Sequence, residues 1–133
     1  MNIYTILIPV IIIVLIWIFL VLKFTKKSTK ISAQKKASFN KILKRTIVNK
    51  SHKEQIIDFD KLLHKIMQEI WYTWTFWEIL KQEPVEIINL NSVWEYHKLR
   101  NKLVHDFDLM TQNTLKQKAL AYQKEIKKVL SKV

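Results

Sequence analysis

The chain is predicted to be all-α: an N-terminal single transmembrane helix followed by an antiparallel four-helix bundle. Three observations carry this. Apolar residues recur at helical spacing through residues 33–133, and no strand-like alternation bounded by turns appears. Residues 3–22 hold no charge. Pro84 and the cap signals near Ser92 and Thr111 divide the periodic stretch into separate helices.

The uncharged run IYTILIPVIIIVLIWIFLVL is twenty residues long. At 1.5 Å per residue it matches a hydrocarbon core of about 30 Å, and Pro9 in its first half is tolerable in a membrane helix. A cleaved signal peptide would need a basic segment before the run; here the basic segment KFTKKSTK follows it. Residues 1–24 are therefore expected to form an anchor, residues 25–32 a basic tether and residues 33–133 the bundle.

The first bundle helix, 33–49, carries Phe39, Ile42, Leu43 and Ile47 on one stripe. The second, 54–71, carries Phe59, Leu62, Leu63, Ile66, Met67 and Ile70. A short helical piece near 75–82 is closed off by Pro84. Ser92-Val-Trp-Glu95 reads as a capping box that starts a helix over 92–107. The last helix, 112–131, has Thr111 or Asn113 as its cap and the stripe Leu115, Ala119, Tyr122, Ile126, Val129, Leu130 and Val133. Four helices of this length with short connections make an antiparallel bundle the economical architecture.

Charge is distributed unevenly. Lys23 to Lys53 holds eleven basic residues and no acidic one, whereas Glu54 to Met110 holds six basic and ten acidic. The net charge of +12 is thus concentrated beside the apolar run. By the positive-inside rule the chain is expected to sit in the cell (plasma or inner) membrane as a single-pass protein, N-terminus out and C-terminal domain cytoplasmic. Lys23, Lys26, Lys27 and Lys30 are then the candidates for contact with anionic headgroups of the lipid bilayer. Topology and lipid account for this charge without nucleic acid. Cysteine is absent, which excludes disulfides and thiolate metal sites. The four histidines, His52, His64, His97 and His105, have no metal-ligand spacing. No metal and no cofactor is expected.

The stretch WEYHKLRNKLVHDFD, residues 94–108, departs from this Lys-rich pattern. The chain has 21 lysines and two arginines, Arg45 and Arg100. On a wheel of 3.6 residues per turn, Tyr96, Leu99, Leu103 and Phe107 share a core face and Glu95, Lys98, Lys102 and Asp106 a solvent stripe. Val93, Trp94, His97, Asn101, Val104 and His105 form a third, mixed face, with Arg100 on its border with the core. A bundle helix needs one apolar face, so a second one predicts a second partner, most simply the same helix of another copy. Arg100 and His105 diverge by about 140° within one chain. Across a two-fold axis each Arg could approach the partner's His and make one composite cleft. Guanidinium grips two phosphate oxygens bidentately, which Lys cannot do. Imidazole can take a proton from a ribose 2′-OH or return one to the leaving oxygen. No metal is required for such chemistry.

With Arg100, Asn101 and His105 in place, RNKLVH resembles the R-x(4–6)-H signature of HEPN domains, in which a polar residue, often Asn, follows the Arg. Residues 39–133 resemble small, membrane-anchored bacterial HEPN-like proteins. The resemblance implies a four-helix bundle, often homodimeric, and in many members a metal-independent RNase, including toxins that have an antitoxin partner. It implies Arg100 as phosphate clamp, His105 as acid/base and Asn101 as the residue orienting one of them. Asp60 matches an acidic position that pairs with the Arg, and His97 is a candidate third member of the site. HEPN toxins inactivated by nucleotidylation carry a Tyr two residues after the His. Here that position is Phe107, which departs from that pattern. In WYTWTFWEIL, Trp71, Trp74 and Trp77 stand where the resembling proteins have Gly. Either these are UGA codons meaning glycine but translated as Trp, or they are a true aromatic cluster covering the end of the bundle.

Two functions are carried forward. The first is a membrane-anchored, metal-independent endoribonuclease acting on RNA. The second is a non-catalytic tethered module that binds RNA or a protein partner, with Arg100 and Asp60 as a structural pin.

Overall fold

The computed structural model describes residues 4–24, 30–105 and 110–133, with side chains in the first segment described from 7 to 20. Among these residues six helices follow one another: α1 (Tyr4–Phe24), α2 (Ala33–Asn49), α3 (His52–Ile70), α4 (Phe76–Lys81), α5 (Leu90–His105) and α6 (Gln112–Lys132). No strand occurs among the described residues. The all-α expectation therefore holds.

The membrane expectation does not. Among the described residues no helix is long and apolar enough to cross a membrane. The single-pass anchor over residues 1–24, and with it the outside N-terminus and cytoplasmic bundle, is withdrawn. The headgroup role of the basic residues loses its motive. Lys26, Lys27 and the side chain of Lys23 lie outside the described residues, and Lys30 is exposed.

Local chemistry explains where the helices begin. Ser32 accepts from Lys35 N at the start of α2. Ser51 and Glu54 form a full capping box on α3, as do Thr75 and Glu78 on α4. Each box satisfies two backbone donors that the first turn would otherwise leave open. Ser51→Ala is expected to lower stability by about 1 kcal/mol, read from chemical denaturation; no loss would mean that water replaces the cap. Thr111, of the two candidates, caps α6. The predicted Ser92–Glu95 box is corrected: α5 starts two residues earlier, at Leu90. There Asn89 Oδ1 accepts from Ser92 N at 3.4 Å, and Asn89 O accepts from Val93 N at 3.2 Å. Asn is as good a cap as Ser, and the earlier start lets the half-buried Leu90 join the core.

α3 is the central helix, packed against α2, α5 and α6. Lys35 Nζ meets Glu69 Oε2 at 3.2 Å, and Gln55 Nε2 donates to Ile47 O at 3.1 Å and Lys50 O at 2.9 Å. These contacts make α2 and α3 antiparallel. Lys36 Nζ donates to Val133 O at 3.0 Å, which brings the end of α6 beside the start of α2, so α6 runs parallel to α3. Along α3 the apolar core is made by the fully buried Ile56, Phe59, Leu63, Ile66 and Met67, and it is closed by Ile126 and Val129 from α6, Val93 from α5, and Ile79 and Leu80 from α4.

The linker tryptophans make no backbone demand for glycine. Trp71 is extended at φ 163°, and Glu83 at φ 49° is the left-handed residue among those described. Glu83 follows the C-cap Gln82 and stands just before Pro84, the place where a glycine would relieve the left-handed conformation. Trp71 stacks on Tyr72 with ring centroids 4.1 Å apart, and Trp77 meets Trp94 edge-on at 4.6 Å. UGG codons at 71, 74 and 77 would exclude recoding.

Tyr72 donates to the buried Glu86 at 3.1 Å. Burial, followed by the charge of Glu86 and this hydrogen bond, pushes the Tyr72 phenol up to about 12. A phenol raised on folding stabilises the fold while it is protonated in both states. That contribution is lost as pH rises from about 10, where the unfolded phenol ionises, to about 12. Stability is therefore expected to fall across that window, with a shallower fall in Tyr72→Phe. Identical alkaline profiles would sink the assignment.

Candidate functional site

Three helices converge on one buried carboxylate. Asp60, on the inner face of α3, lies beside α5 and α6. His97 Nδ1 is 3.1 Å from both Asp60 oxygens, and Tyr122 from α6 donates its hydroxyl to Oδ1 at 2.9 Å. A carboxylate only accepts, so the shared hydrogen belongs to His97 Nδ1. Arg100, one turn beyond His97, places Nε 3.9 Å from Asp60 Oδ2. That is an ion-pair distance and too long for a hydrogen bond. Arg100 Nε is buried and has no hydrogen-bond partner among the described residues, while Nη1 donates to Asn101 Oδ1 at 2.9 Å.

Aromatic rings wall in this network. Phe76 meets His97 edge-on at 5.2 Å, Phe59 meets Tyr122 edge-on at 6.1 Å, and Tyr96 stacks on Tyr122 at 4.7 Å. Burial, then the charge of Asp60 and the hydrogen bond to it, drive the Tyr122 phenol well above its usual range, with Arg100 opposing. Tyr122 is fully buried and serves as a hydrogen-bond donor to Asp60. Tyr96 is raised as well, chiefly by burial.

The predicted site residues separate into two groups. Asp60, His97, Arg100 and Asn101 are joined by the contacts above. His105, the last residue of α5, is exposed and has no partner among the described residues. One chain does not bring Arg100 and His105 into contact. Phe107 and Asp106 lie outside the described residues.

The third face of α5 is also corrected. Val93 is fully buried, His97 points inward and Trp94 packs against Trp77 of α4, so the N-terminal half of that face is covered by the chain itself. Asn101, Val104 and His105 remain exposed. Asp60 was expected to pair with Arg100, but its nearer partners are His97 and Tyr122. Sequence reasoning placed Tyr122 in an apolar stripe and missed its role. The signal was available, because a Tyr hydroxyl in a core stripe usually needs a polar partner.

Among the described residues no group of three or more His, Asp or Glu side chains could hold a metal ion. What remains open to a ligand is the outer part of Arg100, with its side chain 29% exposed, together with Asn101 and His105. The arrangement can grip an oxyanion and, at some distance along α5, exchange a proton. No family model, curated protein or solved structure matches this chain.

Proposed function

We propose that this chain is a HEPN-type, metal-independent endoribonuclease whose active site is completed by a second copy. The observation that carries it is the state of Arg100. Asp60 draws one edge of the guanidinium inward and Asn101 accepts from another, while part of the side chain stays exposed. A guanidinium held on two sides is oriented before substrate arrives, which lowers the ordering cost of a bidentate phosphate grip. His105 of the partner copy would take the proton of the ribose 2′-OH. The 2′-oxygen then bonds to phosphorus as the bond to the 5′-oxygen breaks, and a protonated imidazole supplies the proton to that leaving oxygen. The products are a 2′,3′-cyclic phosphate and a 5′-hydroxyl. Val104, 47% exposed between Asn101 and His105, is the apolar contact available to the two-fold partner.

A second reading has its own support. Arg100 is more than two-thirds buried and lies beside a buried carboxylate, as a structural pin would. On that reading the chain is a non-catalytic module that binds RNA or a protein.

The experiment is RNA cleavage by the full chain in EDTA, beside Arg100→Ala, Arg100→Lys and His105→Ala. Cleavage that survives EDTA and disappears in His105→Ala supports the ribonuclease. Absence of cleavage from a folded dimer, with RNA still bound at low salt, supports the module. Sedimentation of Val104→Glu, compared with the unmodified chain, reports whether this end of α5 is the dimer contact.

A further inference from the structure

The chain's other arginine lies away from the Asp60 network. Arg45, on α2, lines a cleft of about 310 Å³ between α2 and α3. Lys50, Lys61 and Lys65 line it too, against one carboxylate, Asp58. Asp58 and Asp60 are separated by about 200° on α3, so the cleft and the Asp60 network occupy opposite sides of that helix and share no residue.

The charge in this cleft is not balanced internally. Asp58 holds Lys50 at 3.2 Å and Lys61 at 3.9 Å, while Arg45 and Lys65 have no partner among the described residues. The C-terminal dipole of α2 favours a cation at Lys50. It does not explain Lys61 and Lys65, which lie one turn apart in the middle of α3, a spacing at which like charges repel. An anion seated between them and Arg45 would convert that repulsion into attraction. In a chain that writes Lys almost everywhere else, Arg45 supplies the planar fork suited to two phosphate oxygens. Ile42 and the buried Leu62 give the cleft an apolar floor. Its volume is at the small end of the range for small-molecule sites, roughly 300–1,000 Å³.

We propose that the α2–α3 cleft binds a phosphate-bearing small molecule of nucleotide size. Arg45 grips a phosphate bidentately, Lys61 and Lys65 neutralise the remaining charge, and the sugar or base rests on Ile42 and Leu62. This binding does not depend on the RNA-cleavage reading.

The test is calorimetric titration of the full chain, at constant ionic strength, with a nucleoside triphosphate, inorganic triphosphate and a short single-stranded RNA. Variants are Arg45→Ala, Arg45→Lys, Lys65→Ala and, as a control, Lys127→Ala on the exposed face of α6. Saturable one-to-one binding of the nucleoside triphosphate is expected. It should weaken at least tenfold in Arg45→Ala and Lys65→Ala, recover only in part in Arg45→Lys, and be unchanged in Lys127→Ala. All the substituted side chains are exposed, so the variants should fold. Equal weakening by the control would overturn the site in favour of diffuse charge. Inorganic triphosphate binding as tightly as the nucleotide would overturn the role of the floor. Saturable binding of RNA alone would assign the cleft to a nucleic-acid backbone instead, and no saturable binding of any probe would remove the site.

Discussion

Asp60→Ala is expected to destabilise the folded chain by about 3–5 kcal/mol, because it removes the common acceptor of a buried polar cluster. His97 Nδ1 and the Tyr122 hydroxyl each lose a hydrogen bond of 2.9–3.1 Å, with Tyr122 fully buried and His97 nearly so. Arg100 Nε, already without a hydrogen-bond partner among the described residues, loses its nearby negative charge as well. Asp60→Asn should cost less, since its carbonyl can still accept from one of the two donors. The measurement is urea denaturation followed by circular dichroism. A loss below about 1 kcal/mol for Asp60→Ala would show that the cluster is solvated rather than buried. Since a native stability is commonly about 5–15 kcal/mol, this one substitution can remove a large share of it. RNA cleavage by Asp60→Ala is therefore a poor test of mechanism unless folding is measured alongside.

His105→Ala is expected to act in the opposite way, with a large effect on chemistry and a small one on folding. His105 is exposed and has no partner among the described residues, so its removal should change stability by less than about 0.5 kcal/mol. If it is the acid/base, RNA cleavage should fall by about 10²- to 10⁴-fold, the usual contribution of a positioned proton-transfer group. Arg100 needs the conservative variant. Arg100→Lys keeps the charge near Asp60 but loses the bidentate fork, so a clamp should lose most of its activity while a structural pin should keep most of its stability. Mixing the inactive variants Arg100→Ala and His105→Ala gives a further readout. A site shared between copies should recover part of the activity in the mixed dimer, whereas a site within one chain should recover none.

Fold class was legible because helical periodicity is a local property. The stripe Phe39, Leu43 on α2 and the stripe Phe59, Leu62, Leu63, Ile66 on α3 are spaced so that a helix buries one face and solvates the other. The predicted ranges 33–49 and 112–131 fall within a residue of α2 and α6 at each end. Cap positions were less legible. Asn89 and Ser92 both carry good cap chemistry, and only the packing of Leu90 into the core decides that α5 begins at Leu90, just after Asn89.

The apolar run shows the limit of composition. Twenty uncharged residues suggested a membrane span, yet among the described residues no helix is long and apolar enough to cross a membrane.

By itself the sequence determined the all-helical architecture, the placement of α2, α3 and α6, and the choice of Arg100, Asn101 and His105 as the side chains to watch. Only the tertiary structure decided what surrounds them. That His97 points inward, that Tyr122 donates to Asp60, and that Arg100 lies 3.9 Å from that carboxylate depend on how α3, α5 and α6 are rotated against one another. Periodicity says which face of a helix is apolar. It does not say which residue of the neighbouring helix will lie opposite, because that depends on packing between residues 37 and 62 positions apart in the chain.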